Sequence, residues 1–155
     1  MDKLFNSLEF TYEFTSDSHC IPDCLKTDAS TALRIEGLLT IKINGQIYFK
    51  ADLALLEFYL YLNAWSKKNK KTRSINEFHY YSMEFDEGAI LSLLPFGQKA
   101  RLASIWEEEQ MYNVFDLSYV SEKLIDLMDC LEKDIEEYYG LKIKSFIGKV
   151  PLKKY

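Results

Sequence analysis

Near the C-terminal end of the chain, apolar residues fall at Val120, Leu124, Leu127, Met128, Leu131, Ile135 and Tyr138. Steps of 4, 3, 1, 3, 4 and 3 put them on one stripe of an α-helix over residues 118–139, and Gly140 follows where a left-handed residue ends such a helix. A helix of this kind owes most of its stability to the surface that covers its apolar stripe, so the rest of the chain must supply that surface. The opposite face carries Glu122, Asp126, Asp129 and Glu136, at steps of 4, 3 and 7.

The covering surface reads as a sheet. In residues 9–15, Phe10, Tyr12 and Phe14 alternate with Glu9, Thr11, Glu13 and Thr15, the period of a half-buried strand. Residues 16–31, with Pro22 and several Asp, Ser and Thr, show neither period and read as an irregular connection. Leu33, Ile35, Leu39, Ile41 and Ile43 line one face of a second strand, and Ile47, Phe49 and Ala51 one face of a third. A two-residue Asn44-Gly45 turn would set Ile41 beside Tyr48, apolar face against polar face. A three-residue loop, Ile43-Asn44-Gly45, would pair Ile41 with Ile47 and place Gly45 in a left-handed bulge; it is the expected form.

Asp52 is the expected N-cap of a helix over residues 53–67, striped by Leu55, Phe58, Tyr59, Leu62 and Trp65. Only Glu57, Tyr61 and Asn63 relieve its apolar middle, so it should pack across the sheet and meet a partner on a second side. Residues 78–85, 89–94 and 100–106 then read as a three-strand meander, and residues 141–147 as a short last strand. Strands, a helix, a meander and a long final helix make the class α+β, with one antiparallel sheet of about five to six strands and two main helices, in a single domain over residues 1–155.

The net charge of −5 is mild, but its distribution is uneven: residues 107–137 hold eleven acids against Lys123 and Lys133, whereas the tail, residues 141–155, holds five Lys and no acid. Acidity opposes nucleic-acid affinity, and the basic run over residues 67–73 is one solvated loop without a stacking platform. No apolar run is long enough for a membrane span and the N-terminal residues are charged, so a cytoplasmic protein is expected. Aromatic residues make up 15% of the chain, which favours large contact surfaces.

Catalytic patterns are sparse. The six Gly are scattered, with no phosphate-binding turn. His19, Cys20 and Cys24 lie within six residues but lack a fourth zinc ligand, so a loop with free thiols is expected. His79 reads as a partly buried, hydrogen-bonded strand residue, and no nucleophile is assigned. Two carboxylates held close can share acid and base roles or bind a divalent cation, which makes Glu84, Asp86 and Glu107 the candidates for a small metal-dependent hydrolase. No cofactor is expected.

The segments Ile41-Lys42-Ile43-Asn44-Gly45-Gln46-Ile47-Tyr48-Phe49, Leu55-Leu56-Glu57-Phe58, Tyr81-Ser82-Met83-Glu84-Phe85 and Ser104-Ile105-Trp106-Glu107-Glu108, with Trp65, resemble a small uncharacterised bacterial family of unknown function. The resemblance covers residues 35–137. In size and style such chains are similar to the immunity proteins encoded beside bacterial polymorphic toxins. That analogy implies a non-enzymatic intracellular binding protein whose partner is a basic toxin domain, met by an acidic, aromatic-rich surface: Glu122, Asp126, Asp129 and Glu136, with Trp106 and Glu107. Nothing in the residues specifies an oligomeric state.

Overall fold

A computed structural model describes residues 6–111 and 113–153. Its elements are β1 (Leu8–Phe14), β2 (Glu36–Ile43), β3 (Gln46–Ala54), α1 (Leu55–Thr72), β4 (Phe78–Tyr80), β5 (Leu91–Phe96), β6 (Lys99–Ala103), β7 (Phe115–Asp116) and α2 (Leu117–Tyr139). The class is α+β, ending on a long helix. Among the described residues, however, the strands number seven and form two antiparallel sheets, β1-β2-β3 and β4-β5-β6-β7, not one sheet of five to six.

The division follows from α1. Every residue from Leu55 to Leu62 is buried, so this helix needs cover on more than one side. The cover comes from within the chain: Phe58 and Trp65 meet Phe78 of β4 edge-on, and α2 packs alongside. Leu55 lies so close to β2 that a Cβ on Gly37 would sit 2.2 Å from its Cδ1, which only glycine permits. β3 passes straight into α1, so Asp52 is an exposed strand residue and not the expected cap. Ala54 stands at the N-cap, and the Leu55 N–H donates to the Ile35 carbonyl at 2.8 Å.

The hairpin differs from expectation in an instructive way. Ile43 pairs with Gln46 across a two-residue turn in which Asn44 and Gly45 are both left-handed, with φ of 53° and 79°. Lys42 then pairs with Ile47 and Ile41 with Phe49, leaving Tyr48 as the extra residue of a bulge. The clash of faces is real, but the chain resolves it one pair beyond the turn. Tyr48 is consequently buried, while Ile47, expected inward, is 38% exposed.

Short strands leave sheet edges that need protection. β7 pairs only with Lys99 and Ala100 of β6. Beyond it the Leu102 N–H donates to Asn113 Oδ1 at 2.9 Å, and its carbonyl accepts from the Tyr48 hydroxyl at 3.3 Å, so side chains close this edge.

On α2 the buried row is Val120, Leu124, Leu127, Leu131, Ile135 and Tyr139. Tyr138, placed in that row by spacing, is instead half-exposed and stacks on Phe14 at 5.1 Å. Gly140 ends the helix with φ of 65°, as expected. Residues 141–147 form a 3-10 turn, Ile143–Ser145, and not a strand; the fully buried Ile143 and Phe146 anchor it. The irregular connection over residues 16–31 holds 3-10 turns of its own, Asp23–Leu25 and the start of Ala29–Leu33. Lys154 and Tyr155 of the basic tail, and residues 1–5, lie outside the described residues. No helix among the described residues is long and apolar enough to cross a membrane.

Candidate protein-binding surface

The four acids expected on the outer face of α2 do not share one environment. Glu122, Asp126 and Asp129 are exposed, and among the described residues none of them is in an ion pair. Glu136 is half-buried, and its Oε2 accepts the Ile143 N–H at 3.0 Å, so it caps the turn after the helix. The neighbouring α1 feels these charges: the phenol of Tyr59, 3% exposed, is pushed up to about 12 by burial and then by Glu132, Asp129 and Glu136. Asp134, on the flank of the helix, accepts a short hydrogen bond from Tyr12 of β1.

Trp106 and Glu107 lie after β6, and the structure joins them to a different region. β4 was expected to run over residues 78–85, but it ends at Tyr80, and the chain leaves the sheet until the Ile90 N–H returns to the Tyr80 carbonyl at 2.8 Å. Glu57 causes this departure. Fully buried on α1, its carboxylate accepts the Tyr80 hydroxyl at 2.9 Å on Oε1 and the Met83 N–H at 3.0 Å on Oε2. These two hydrogen bonds hold the Met83 amide against the buried side chain of α1, so it is not available to the ladder. Burial and the Glu57 charge hold the Tyr80 phenol well above its usual range.

A cation secures the same segment from its other side. Lys153 Nζ donates to the carbonyls of Ser82 and Phe85, both at 3.1 Å, and meets Asp86 Oδ1 at 3.2 Å; the Lys153 N–H donates to the Tyr61 hydroxyl. Around it, Met83, Phe85 and Ile105 are 44%, 40% and 47% exposed, and Phe85 meets half-buried Trp106 edge-on at 4.9 Å. Residues 104–108 are held in turn. Ser104 Oγ donates to the Ile90 carbonyl, the Trp106 N–H donates to Ser104 Oγ, and the Glu108 N–H reaches the carbonyl of the bulged Tyr48 at 2.8 Å.

Glu84 and Asp86 belong to this segment. Glu84 is raised above the usual carboxylate range by burial, then by Glu36 and Glu57, whereas Asp86 is paired with Lys153. Among the described residues, no group of three His, Cys, Asp or Glu side chains is placed to hold a metal ion, so neither Glu84, Asp86 and Glu107 nor His19, Cys20 and Cys24 form a donor set. Cys20, Cys24 and Cys130 are free thiols. His79 Nδ1 lies 2.7 Å from Ser92 Oγ, its partner across β4 and β5.

Residues 10–137 match the family model described as "Domain of unknown function (DUF7878)". The chain belongs to this family. The matched region takes in Glu57, residues 82–86, residues 104–109 and the acidic face of α2, while Lys153 lies beyond it. No curated protein and no solved structure matches the chain.

Sequence reasoning missed Glu57, read there only as relief in an apolar helix. The signal was present: it is the lone acid from Leu53 to Leu62, with no cation four residues to either side.

Proposed function

We propose that this chain acts by binding, without chemistry of its own, and that it occludes a basic partner protein in the manner of a cytoplasmic immunity protein paired with a bacterial polymorphic toxin. The observation that supports this best is the outer face of α2. Glu122, Asp126 and Asp129 span about 10 Å of helix at 1.5 Å per residue. They are exposed, and among the described residues they have no cationic partner. Such a row gains little stability for the fold, but it speeds encounter with a basic surface and repels acidic ones. The reading of a hydrolase built on Glu84, Asp86 and Glu107 has no gathered donor set behind it.

The test is co-expression with the product of the adjacent upstream reading frame. Rescue of growth from a toxin-like C-terminal domain is expected. Replacing Asp126 and Asp129 with Asn should slow association at low salt, and the difference should fade as salt screens the attraction. A double variant that associates at the wild-type rate in low salt would contradict the reading, as would an adjacent product that the chain does not bind.

A further inference from the structure

We infer that the cluster of Met83, Phe85, Ile105 and Trp106 is a docking surface for a basic protein segment carrying an apolar side chain between its cations. The inference rests on the binding role proposed above, and adds where the partner's anchor sits.

Three observations carry it. The first is exposure: Phe85 and Trp106, from two separate loops, meet edge-on, and exposed Met83 and Ile105 lie two residues and one residue from them along the chain. Contiguous apolar surface of this kind marks interaction sites. The second is construction. The loop of Met83 and Phe85 is tied to a fully buried carboxylate beneath and to Lys153 beside it, and that of Ile105 and Trp106 to Ile90 and the Tyr48 bulge. A surface already fixed in shape loses little conformational freedom on binding, and an aromatic group in a supported patch is the usual energetic anchor.

The third observation is charge. Glu84 lies between Met83 and Phe85, Glu87 follows the Asp86 that pairs with Lys153, and Glu107, Glu108 and Glu109 follow Trp106 directly. All but Glu107 are exposed, and none of the five is in an ion pair among the described residues. An apolar centre with a carboxylate rim is complementary to an aliphatic or aromatic residue flanked by Lys or Arg. It is unfavourable for an acidic segment or an anionic membrane, and two copies of the patch face to face would set acids against acids.

Three synthetic twelve-residue peptides serve as probes: one with Lys, Arg, Leu and Phe, one with Gly and Ser in place of Leu and Phe, and one with Glu in place of the cations. The first should bind at least about tenfold more tightly than either other and shift the emission of Trp106, with Trp106→Phe as the control. A Phe85→Ser/Ile105→Ser variant should lose about tenfold in that affinity, whereas Glu9→Gln/Glu13→Gln, at two exposed acids of β1 outside both surfaces, should stay within about twofold, provided circular dichroism shows both folded.

Equal binding of the first two peptides, or none by all three at millimolar concentration, would overturn the docking surface. So would a wild-type dimer that Phe85→Ser/Ile105→Ser converts to a monomer, since the occupant would then be a second copy. Neutralisation of the adjacent toxin domain that survives Phe85→Ser/Ile105→Ser but not Asp126→Asn/Asp129→Asn would remove this inference and leave the proposed function standing.

Discussion

The outer face of α2 and the surface of residues 82–86 and 104–109 are both acidic, yet they are built in opposite ways. On α2 the side chains stand on a regular helix whose inner row is buried, and Glu122, Asp126 and Asp129 take no part in holding the fold. On the other surface the backbone is irregular, and each turn of it is fixed by a polar group from elsewhere: Glu57 from α1, Lys153 from the C-terminal segment, and the Tyr48 carbonyl from β3. Removing the charges of the first face should leave the fold intact. The second exists only because buried polar groups hold it, so its shape and the stability of the domain are coupled.

The largest effect should come from undermining α2. Leu131 is fully buried at the centre of the row, and Leu131→Ala should cost about 2–5 kcal/mol in urea denaturation. An effect below about 1 kcal/mol would mean that the acidic face does not rest on a packed seat.

Alkali should act on both regions. Burial holds the phenols of Tyr59 and Tyr80 above their ordinary range, as it does those of Tyr12, Tyr48 and Tyr139. Their folded values exceed their unfolded ones, so the stability they confer is complete below the unfolded value of about 10 and is lost as pH rises through the folded values. Tyr59, pushed up to about 12, lies within that window. Phenolate absorbance should therefore rise in two stages, the later one coinciding with loss of helical circular dichroism. A single stage near pH 10 would contradict the burial of these rings.

Next in size is the Glu57→Gln variant, which separates the two regions. An amide keeps one acceptor but turns a donor toward a second donor, the Met83 N–H or the Tyr80 hydroxyl, and should cost about 1–3 kcal/mol. Exchange should quicken at residues 82–86 while α2 is unchanged. Lys153→Met should loosen the same loop by roughly 0.5–1.5 kcal/mol, since the ammonium is partly solvated. The smallest effect is Asp126→Asn/Asp129→Asn, expected within about 0.5 kcal/mol of wild type. A larger loss would show that this face is structural after all.

This contrast also marks what could be read from the residues. Local periodicity carried α2, β1, the Leu39–Ile43 part of β2, the stop at Gly140 and the burial of Trp65, because each depends on neighbours within a turn or a strand; Leu33 and Ile35, expected on β2, precede it, Leu33 within a 3-10 turn. The parity argument at Asn44-Gly45 found a real conflict but misplaced its relief, since a bulge at Tyr48 serves the burial of that ring and the loop it holds through its carbonyl. The end of β4 at Tyr80 and the pairing of Phe85 with Trp106 were not legible: they hinge on Glu57, 26 residues before Met83, and on Lys153, 68 residues after Phe85. Trp106 and Glu107 were picked out by type, but only the fold assigns them to a surface other than that of Glu122, Asp126 and Asp129.

The surface of residues 82–86 and 104–109 is held in shape by the buried Glu57, and the amide of Met83 reports on that support. Its partner, Glu57 Oε2, is 3.0 Å away on a residue with no solvent exposure, although the Met83 side chain itself is open to water. Hydrogen exchange resolved to single amides should show Met83 slowed by roughly a hundredfold or more relative to an unstructured chain, with that protection lost in Glu57→Gln. A Met83 amide that exchanges in the wild-type protein at the rate of an unstructured loop would show that Glu57 does not hold this surface.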